Sequence, residues 1–270
     1  MDWKSYRDWL NKGYSKRTAQ QLYNYALKHN RLLNDGFGCL HGFSEGKRRL
    51  VLKSLAALSK YLGCYSRFKH LKEESGVKWG ARNNFEVFKK LYNENGDDGL
   101  YDWIKQVKTL PQQYAFPIVF QGLTGLRPSE AIAALNIIAE KGLNGYYNSG
   151  LGVLEHFKYP ETFLRNTKNA FISIITPTLV ERLKIWHEIT SWNTIRLKLR
   201  RSNIPIKLQA LRSNYATILR EAGIASEAID MLQGRIPASV FARYYYKPSL
   251  SGLVDKVKEA LKPLETELVE

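Results

Sequence analysis

Apolar residues recur at helical spacing along most of this chain, and a β-rich region interrupts that pattern in the middle. In residues 15–30, Ser15 precedes apolar positions three and four residues apart, which is typical of a capped amphipathic helix. The same spacing recurs in residues 46–63, 82–92, 101–126, 178–189, 208–223 and 226–234. These segments predict a protein built mainly from helices.

The β-rich region consists of two runs, GVLEHF at 152–157 and AFISII at 170–175. Both are rich in β-branched and aromatic residues, and they flank a polar, basic stretch. They predict a β-hairpin with a long turn. The expected fold class is therefore mainly α with a small β-hairpin or sheet (α+β).

Gly, Asn and Asp cluster in NENGDDGL, residues 93–100, between two helical segments. A chain of 270 residues with 44% hydrophobic content can form two domains, each with its own core. We expect a helical domain at 1–98 and a second domain at 99–270. The second domain ends in a tail helix, whose apolar stripe consists of Leu253, Val254, Val257, Ala260 and Leu261.

The chain is strongly basic, with a formal net charge of +16. Lys and Arg outnumber Asp and Glu by 19 to 11 over residues 1–104 and by 22 to 14 over residues 105–270. Because the excess is spread over both predicted domains, it favours a protein that holds a polyanion with two bodies. Double-stranded DNA is the expected partner.

Cysteines and histidines are few and scattered. Cys39 and Cys64 cannot form a disulfide framework, and the five histidines match no metal-binding pattern. The apolar runs are too short for a membrane span, and the first residues do not resemble a signal peptide. We expect a cytoplasmic protein that needs no metal, no small-molecule cofactor and no membrane.

The motif TGLRPSE, residues 124–130, places Arg127 where a glycine-containing turn becomes an apolar helix. Pro128 suits the first position of that helix, so the Arg127 guanidinium would lie beside its positive end. Taken alone, the motif favours an arginine that pairs with Glu130, three residues on.

Three further segments follow in order: LRSNYAT at 211–217, LQGR at 232–235 and ARYYYKP at 242–248. Together with TGLRPSE, this series resembles the tyrosine recombinase (phage integrase) family, and most closely the integrases of archaeal viruses and plasmids. The resemblance covers residues 105–248. It implies a helical DNA core-binding domain at 1–98 and a catalytic domain at 99–270. The catalytic residues it implies are Arg127, Lys158, Gln209, Arg212, Arg235 and Tyr245.

The resemblance also implies a role for each residue. Planar guanidinium groups suit a phosphorane, because each donates two parallel hydrogen bonds and stays protonated. A hairpin lysine would protonate the departing 5′ oxygen, and a tyrosine would form a 3′-phosphotyrosyl intermediate.

Several of these assignments have alternatives. Lys168 is nearly as good as Lys158, with Arg165 in the same turn. Tyr244 and Tyr245 lie nine and ten residues after Arg235, so both are allowed nucleophiles, and Tyr246 adjoins them.

The chain departs from the family pattern at two positions. Gln209 stands where the family has a histidine or lysine, a role that nearby Lys207 could take, and Arg235 replaces a histidine or tryptophan. Gln209 makes a DNA-binding relative without activity an alternative. A type IB topoisomerase-like enzyme, which shares the chemistry, is another. The tail helix folds back on its own domain or packs on a neighbouring copy in a recombinase tetramer.

Overall fold

A computed structural model describes residues 1–79, 99–165, 168–236 and 249–269. The chain separates into two compact units, Met1–Glu94 and Asn95–Glu270. The predicted domain boundary at residue 98 and the predicted helix at 82–92 lie outside the described residues.

The described part of the first unit, residues 1–79, is helical. Its elements are α1 (Trp3–Gly13), α2 (Lys16–His29), α3 (Leu32–Asp35), a 3-10 helix (Gly38–Gly42), α4 (Glu45–Tyr61) and α5 (Tyr65–Glu74). The Ser15 hydroxyl accepts a hydrogen bond from the Thr18 amide at 3.4 Å, which confirms the predicted N-cap of α2. The core of this unit is built around Tyr6, Leu22, Leu55 and Phe68.

The second unit combines helices with a small sheet. Its helices are α6 (Leu100–Lys108), α7 (Gln112–Thr124), α8 (Pro128–Lys141), α9 (Pro160–Phe163), α10 (Pro177–Lys184), α11 (Trp192–Arg201), α12 (Leu208–Glu221), α13 (Ser226–Leu232) and α14 (Leu250–Val269). Its strands are β1 (Tyr147–Asn148), β2 (Val153–Leu154) and β3 (Ser173–Ile174), and a 3-10 helix spans His156–Lys158. This composition confirms the expected class, mainly α with a small β-sheet.

The sheet is antiparallel, with the order β1-β2-β3. Val153 lies opposite Ile174, so the two predicted β runs do pair, but each contributes only two residues. The prediction that Lys158 ends the first strand is wrong, because β2 ends at Leu154 and Lys158 lies in the following 3-10 helix. Beyond Leu154 the chain leaves the strand and enters this 3-10 helix, in which His156 is buried while Phe157 is exposed.

The tail helix α14 packs on its own unit. It buries Leu253, Val254, Val257, Leu261, Leu264 and Leu268 in the core that α6, α7, α12 and β3 share. Near its end, the Glu267 carbonyl accepts a hydrogen bond from Lys108 Nζ at 3.1 Å. The apolar stripe predicted from the sequence is thus covered within the same chain. In the described part of the chain, no helix has the length and apolarity to cross a membrane.

Candidate functional site

Arg127 occupies the N-cap of α8, with Pro128 at the first helical position as predicted. Its backbone amide donates to Glu130 Oε2 at 3.0 Å, and its Nη1 donates to Glu130 Oε1 at 2.8 Å. The expected pairing of this arginine with its own i+3 glutamate is therefore confirmed. Glu130 is only 2% exposed, so the carboxylate holds the guanidinium in a partly buried position.

The turn before Arg127 depends on Gly125. This residue has a φ of +64°, which favours glycine. A Cβ here would lie 2.4 Å from the ring of Tyr215, which is buried in α12. The absence of a side chain therefore lets the turn before α8 lie directly against α12.

Arg212 lies on α12 and is buried, with 4% of its surface exposed. Its Nη1 donates to the Gly125 carbonyl at 2.5 Å, and its Nη2 donates to the Gln233 carbonyl at 2.6 Å. Since these carbonyls lie two residues before Arg127 and two before Arg235, one guanidinium joins both segments.

Burial, together with the positive charges of Arg127 and Arg235, lowers the pKa of the Arg212 guanidinium to about 10. At that pKa Arg212 still carries its charge at neutral pH.

Arg235 follows α13 and is the most exposed of these three arginines. Its Nη1 pairs with Asp230 Oδ1 at 3.1 Å, and its amide donates to the Asp230 carbonyl at 2.7 Å. The preceding Gly234 has a φ of +69°, and a Cβ there would lie 1.6 Å from the Asn169 carbonyl oxygen. Only glycine permits this approach, which brings the LQGR segment against the residues before β3.

A fourth arginine joins the site from the segment between α9 and β3. Arg165 Nη2 donates to Glu130 Oε1 at 2.7 Å, which is the same oxygen that Arg127 uses. Arg127 Nη1 also donates to the Asn169 carbonyl at 3.1 Å. We call Arg127, Arg165, Arg212 and Arg235 the arginine cluster.

The two candidate lysines lie in different surroundings. Lys158 Nζ pairs with Glu155 Oε2 at 2.5 Å and donates to the Gly145 carbonyl at 2.9 Å. Lys168 is exposed and is the direct chain neighbour of Asn169, whose carbonyl binds Arg127. The Lys168 backbone therefore borders the arginine cluster.

The remaining predicted residues are placed as follows. Gln209 is exposed near the start of α12, one turn before Arg212. Lys207 Nζ donates to the Gly99 carbonyl at 3.4 Å, which places its ammonium at the start of α6. Tyr244, Tyr245 and Tyr246 lie outside the described residues.

The sequence did not reveal Gln233, Glu130 and Arg165 as a connected set. Gln233 Nε2 returns a hydrogen bond to the Arg212 carbonyl at 3.0 Å, and Glu130 links two arginines that lie 38 residues apart. These contacts are tertiary, so no spacing in the sequence indicates them. Of the site's contacts, the sequence spacing indicated the i+3 pair between Arg127 and Glu130.

Among the described residues, the four arginines of the cluster meet two carboxylates, those of Glu130 and Asp230. Positive charge is therefore in excess at this site. Guanidinium groups bind phosphate oxygens in a planar, bidentate manner and remain charged throughout a reaction. The arrangement can bind a phosphate and stabilise negative charge that develops on it.

No protein-family model matches the chain, and no curated protein matches it. Within residues 1–79, 99–165, 168–236 and 249–269, no group of three or more His, Cys, Asp or Glu side chains could hold a metal ion.

Proposed function

We propose that the protein is a site-specific DNA recombinase, an integrase that cleaves and rejoins DNA through a 3′-phosphotyrosyl intermediate without a metal ion. The observation that supports this best is the pair of hydrogen bonds from Arg212 to the carbonyls of Gly125 and Gln233. They draw Arg127, Arg212 and Arg235 together from three distant parts of the chain. These are the positions that the sequence motifs assign to a phosphate site.

In the proposed reaction, the phenolic oxygen of Tyr245 attacks the scissile phosphorus and the P–O5′ bond breaks. The phenol proton passes to water as the new O–P bond forms, and a lysine ammonium gives its proton to the 5′ oxygen. The arginines donate hydrogen bonds to the nonbridging oxygens as their charge increases. One such donor is worth on the order of 10²–10³ in rate. Rejoining is the same step in reverse, with a 5′ hydroxyl as the nucleophile.

Lys168 is the better candidate for the general acid. Lys158 already pairs with Glu155 and the Gly145 carbonyl, so using it would require breaking both contacts. Lys168 adjoins the residue whose carbonyl binds Arg127, and its side chain is exposed.

Double-stranded DNA is the proposed partner of both units, since residues 1–104 and residues 105–270 each carry a net charge of +8. We further propose that copies of the chain associate into a tetramer on DNA, as strand exchange between two duplexes requires. Light scattering of the protein with and without a bound duplex measures that assembly. A complex that stays monomeric and relaxes supercoiled plasmid would instead favour a topoisomerase-like enzyme.

Covalent trapping tests the proposed activity. A pool of random-sequence duplexes, each nicked so that the short cleaved strand diffuses away, is incubated with the protein in EDTA. We expect an SDS-resistant adduct, and mass spectrometry of the linked peptide to identify Tyr245. The adduct should vanish in Tyr245→Phe and persist in Tyr246→Phe; an adduct that persists in all three single Tyr→Phe variants would contradict the assignment.

A DNA-binding protein without activity is the second candidate. The observation that favours it is Gln209, an uncharged and exposed side chain one turn before Arg212, where the family has a basic residue. This candidate predicts salt-sensitive duplex binding and no adduct from the same pool. Restoring the basic residue in Gln209→Lys should then increase adduct formation if the site is otherwise intact.

A further inference from the structure

Arg165 forms hydrogen bonds through both its backbone and its side chain. Its Nη2 donates to Glu130 Oε1 at 2.7 Å, and its Nε donates to the Lys168 carbonyl at 3.2 Å. Its backbone amide donates to Asn169 Oδ1 at 2.7 Å. Arg165 thus binds Lys168 and Asn169 as well as Glu130 in the first turn of α8.

Glu130 is the anchor of this arrangement. It is 2% exposed, whereas the Arg165 side chain is 43% exposed, so the ion pair joins a half-exposed cation to a buried anion. A buried carboxylate with two guanidinium partners is held in one geometry far better than a surface pair. Arg165 therefore links Lys168 and Asn169 to a buried carboxylate rather than to another surface side chain.

Arg127 forms a second link to the same residues. Arg127 Nη1 donates to the Asn169 carbonyl at 3.1 Å, while Arg165 Nε holds the carbonyl of Lys168. Two successive carbonyls are thus bound by two arginines that share one carboxylate oxygen. The backbone of Lys168 consequently has a defined distance from the Arg127 guanidinium.

We propose that Arg165 is a positioning residue that sets the place of Lys168 beside Arg127. The inference rests on the proposed function, in which Lys168 protonates the departing 5′ oxygen. Loss of Arg165 would release the Lys168 backbone from Glu130 but leave Arg127 paired with the same carboxylate. Proton delivery should therefore suffer while phosphate binding by the arginine cluster is retained.

A change of leaving group separates these two effects. A duplex recovered from the trapping pool is synthesised twice, once with an ordinary scissile phosphate and once with sulfur in place of the bridging 5′ oxygen. A thiol has a pKa of about 8.5, far below that of an alcohol, so a thiolate leaves without a general acid. Single-turnover adduct formation is measured on both duplexes.

We expect Arg165→Ala to slow cleavage of the ordinary duplex by about 10²-fold, the typical contribution of a general acid. The variant should approach the wild-type rate on the sulfur-containing duplex. Lys168→Ala should show the same selective recovery, and Arg127→Ala should be slow on both duplexes. Lys184→Ala, at an exposed lysine that pairs with Glu181, serves as the matched control and should resemble the wild type on both.

Arg165→Lys keeps a positive charge near Glu130 but cannot reach that carboxylate and the Lys168 carbonyl together. It should show a smaller defect with the same recovery, and it carries the test if Arg165→Ala does not fold. The positioning role would be overturned if Arg165→Ala cleaved the ordinary duplex at the wild-type rate. It would also be overturned if the variant were slowed equally on both duplexes. No adduct from the wild-type protein in the trapping pool would instead remove the proposed function itself.

Discussion

Arg212 and Gln233 exchange two hydrogen bonds across 21 positions of the chain. Arg212 Nη2 donates to the Gln233 carbonyl at 2.6 Å, and Gln233 Nε2 donates to the Arg212 carbonyl at 3.0 Å. Both residues are buried, at 4% exposure each. The pair joins α12 to the end of α13, so the position of Arg235 depends on a contact that Arg235 does not itself make.

Gln233→Leu should weaken this junction, because it removes the side-chain donor but keeps the backbone carbonyl and most of the volume. We expect the free energy of unfolding to fall by about 1 kcal/mol, the usual net value of one hydrogen bond. Urea denaturation measures the change. Gln113→Leu, at an exposed glutamine on α7, should stay within about 0.5 kcal/mol of the wild type. Equal stabilities of the two variants would contradict a structural role for the Gln233 side chain.

Gly234→Ala tests the contact between the LQGR segment and Asn169. Gly223→Ala is the matched control: Gly223 also has a positive φ, of +78°, but a Cβ at that position would have no neighbour within 4 Å. Backbone strain alone should cost each variant about 1–2 kcal/mol. The clash at Gly234 should add roughly 1–3 kcal/mol more. Thermal or urea unfolding of both proteins gives the difference, and similar losses would show that the Asn169 contact is easily relieved.

The sequence reveals those parts of the site that have a local signal. TGLRPSE predicts the start of α8 and the Arg127–Glu130 pair, because a proline at the first helical position and an i+3 glutamate act within one turn. The hydrogen-bond acceptors of Arg212 are backbone carbonyls, which are the same for every residue type. No sequence pattern could have indicated them.

The sheet shows the opposite failure. GVLEHF has the composition of a strand, yet β2 stops at Leu154 because His156 turns inward to bonds with Tyr146 and Ser173. Such tertiary burial overrides the β-propensity of the flanking residues. The sequence therefore predicted that the two runs pair, and could not predict how briefly.

Glu130→Gln removes the one carboxylate that Arg127 and Arg165 share, while keeping its shape. The guanidinium groups of Arg127 and Arg165 then lose the negative charge that they share. We expect the free energy of unfolding to fall by about 1–3 kcal/mol in phosphate-free buffer. Because an added anion can replace the missing charge, inorganic pyrophosphate should raise the melting temperature of the variant more than that of the wild type. Differential scanning fluorimetry measures both effects.

The control for that substitution is Glu181→Gln. Glu181 pairs with Lys184 at 2.7 Å, but both side chains are more than half exposed, so the pair should contribute little. Its melting temperature should respond to pyrophosphate as the wild type does. An equal response from Glu130→Gln would argue against an anion site at the arginine cluster.

His156 should make stability depend on pH. Its imidazole is fully buried between the Tyr146 hydroxyl at 2.6 Å and the Ser173 hydroxyl at 2.7 Å, and this burial lowers its pKa to about 3. In the unfolded chain the pKa is about 6.5, so between these values the unfolded state binds the extra proton. Stability from the neutral ring is therefore complete above about pH 6.5 and is lost as the pH falls toward 3, by on the order of 1 kcal/mol per pH unit. Urea unfolding at pH 7.5 and pH 5.0 measures this loss. Between these pH values the free energy of unfolding should fall more for the wild type than for His156→Gln, and the control His187→Gln, at an exposed histidine, should behave as the wild type does. An equal fall in all three proteins would mean that the buried ring takes up its proton without unfolding.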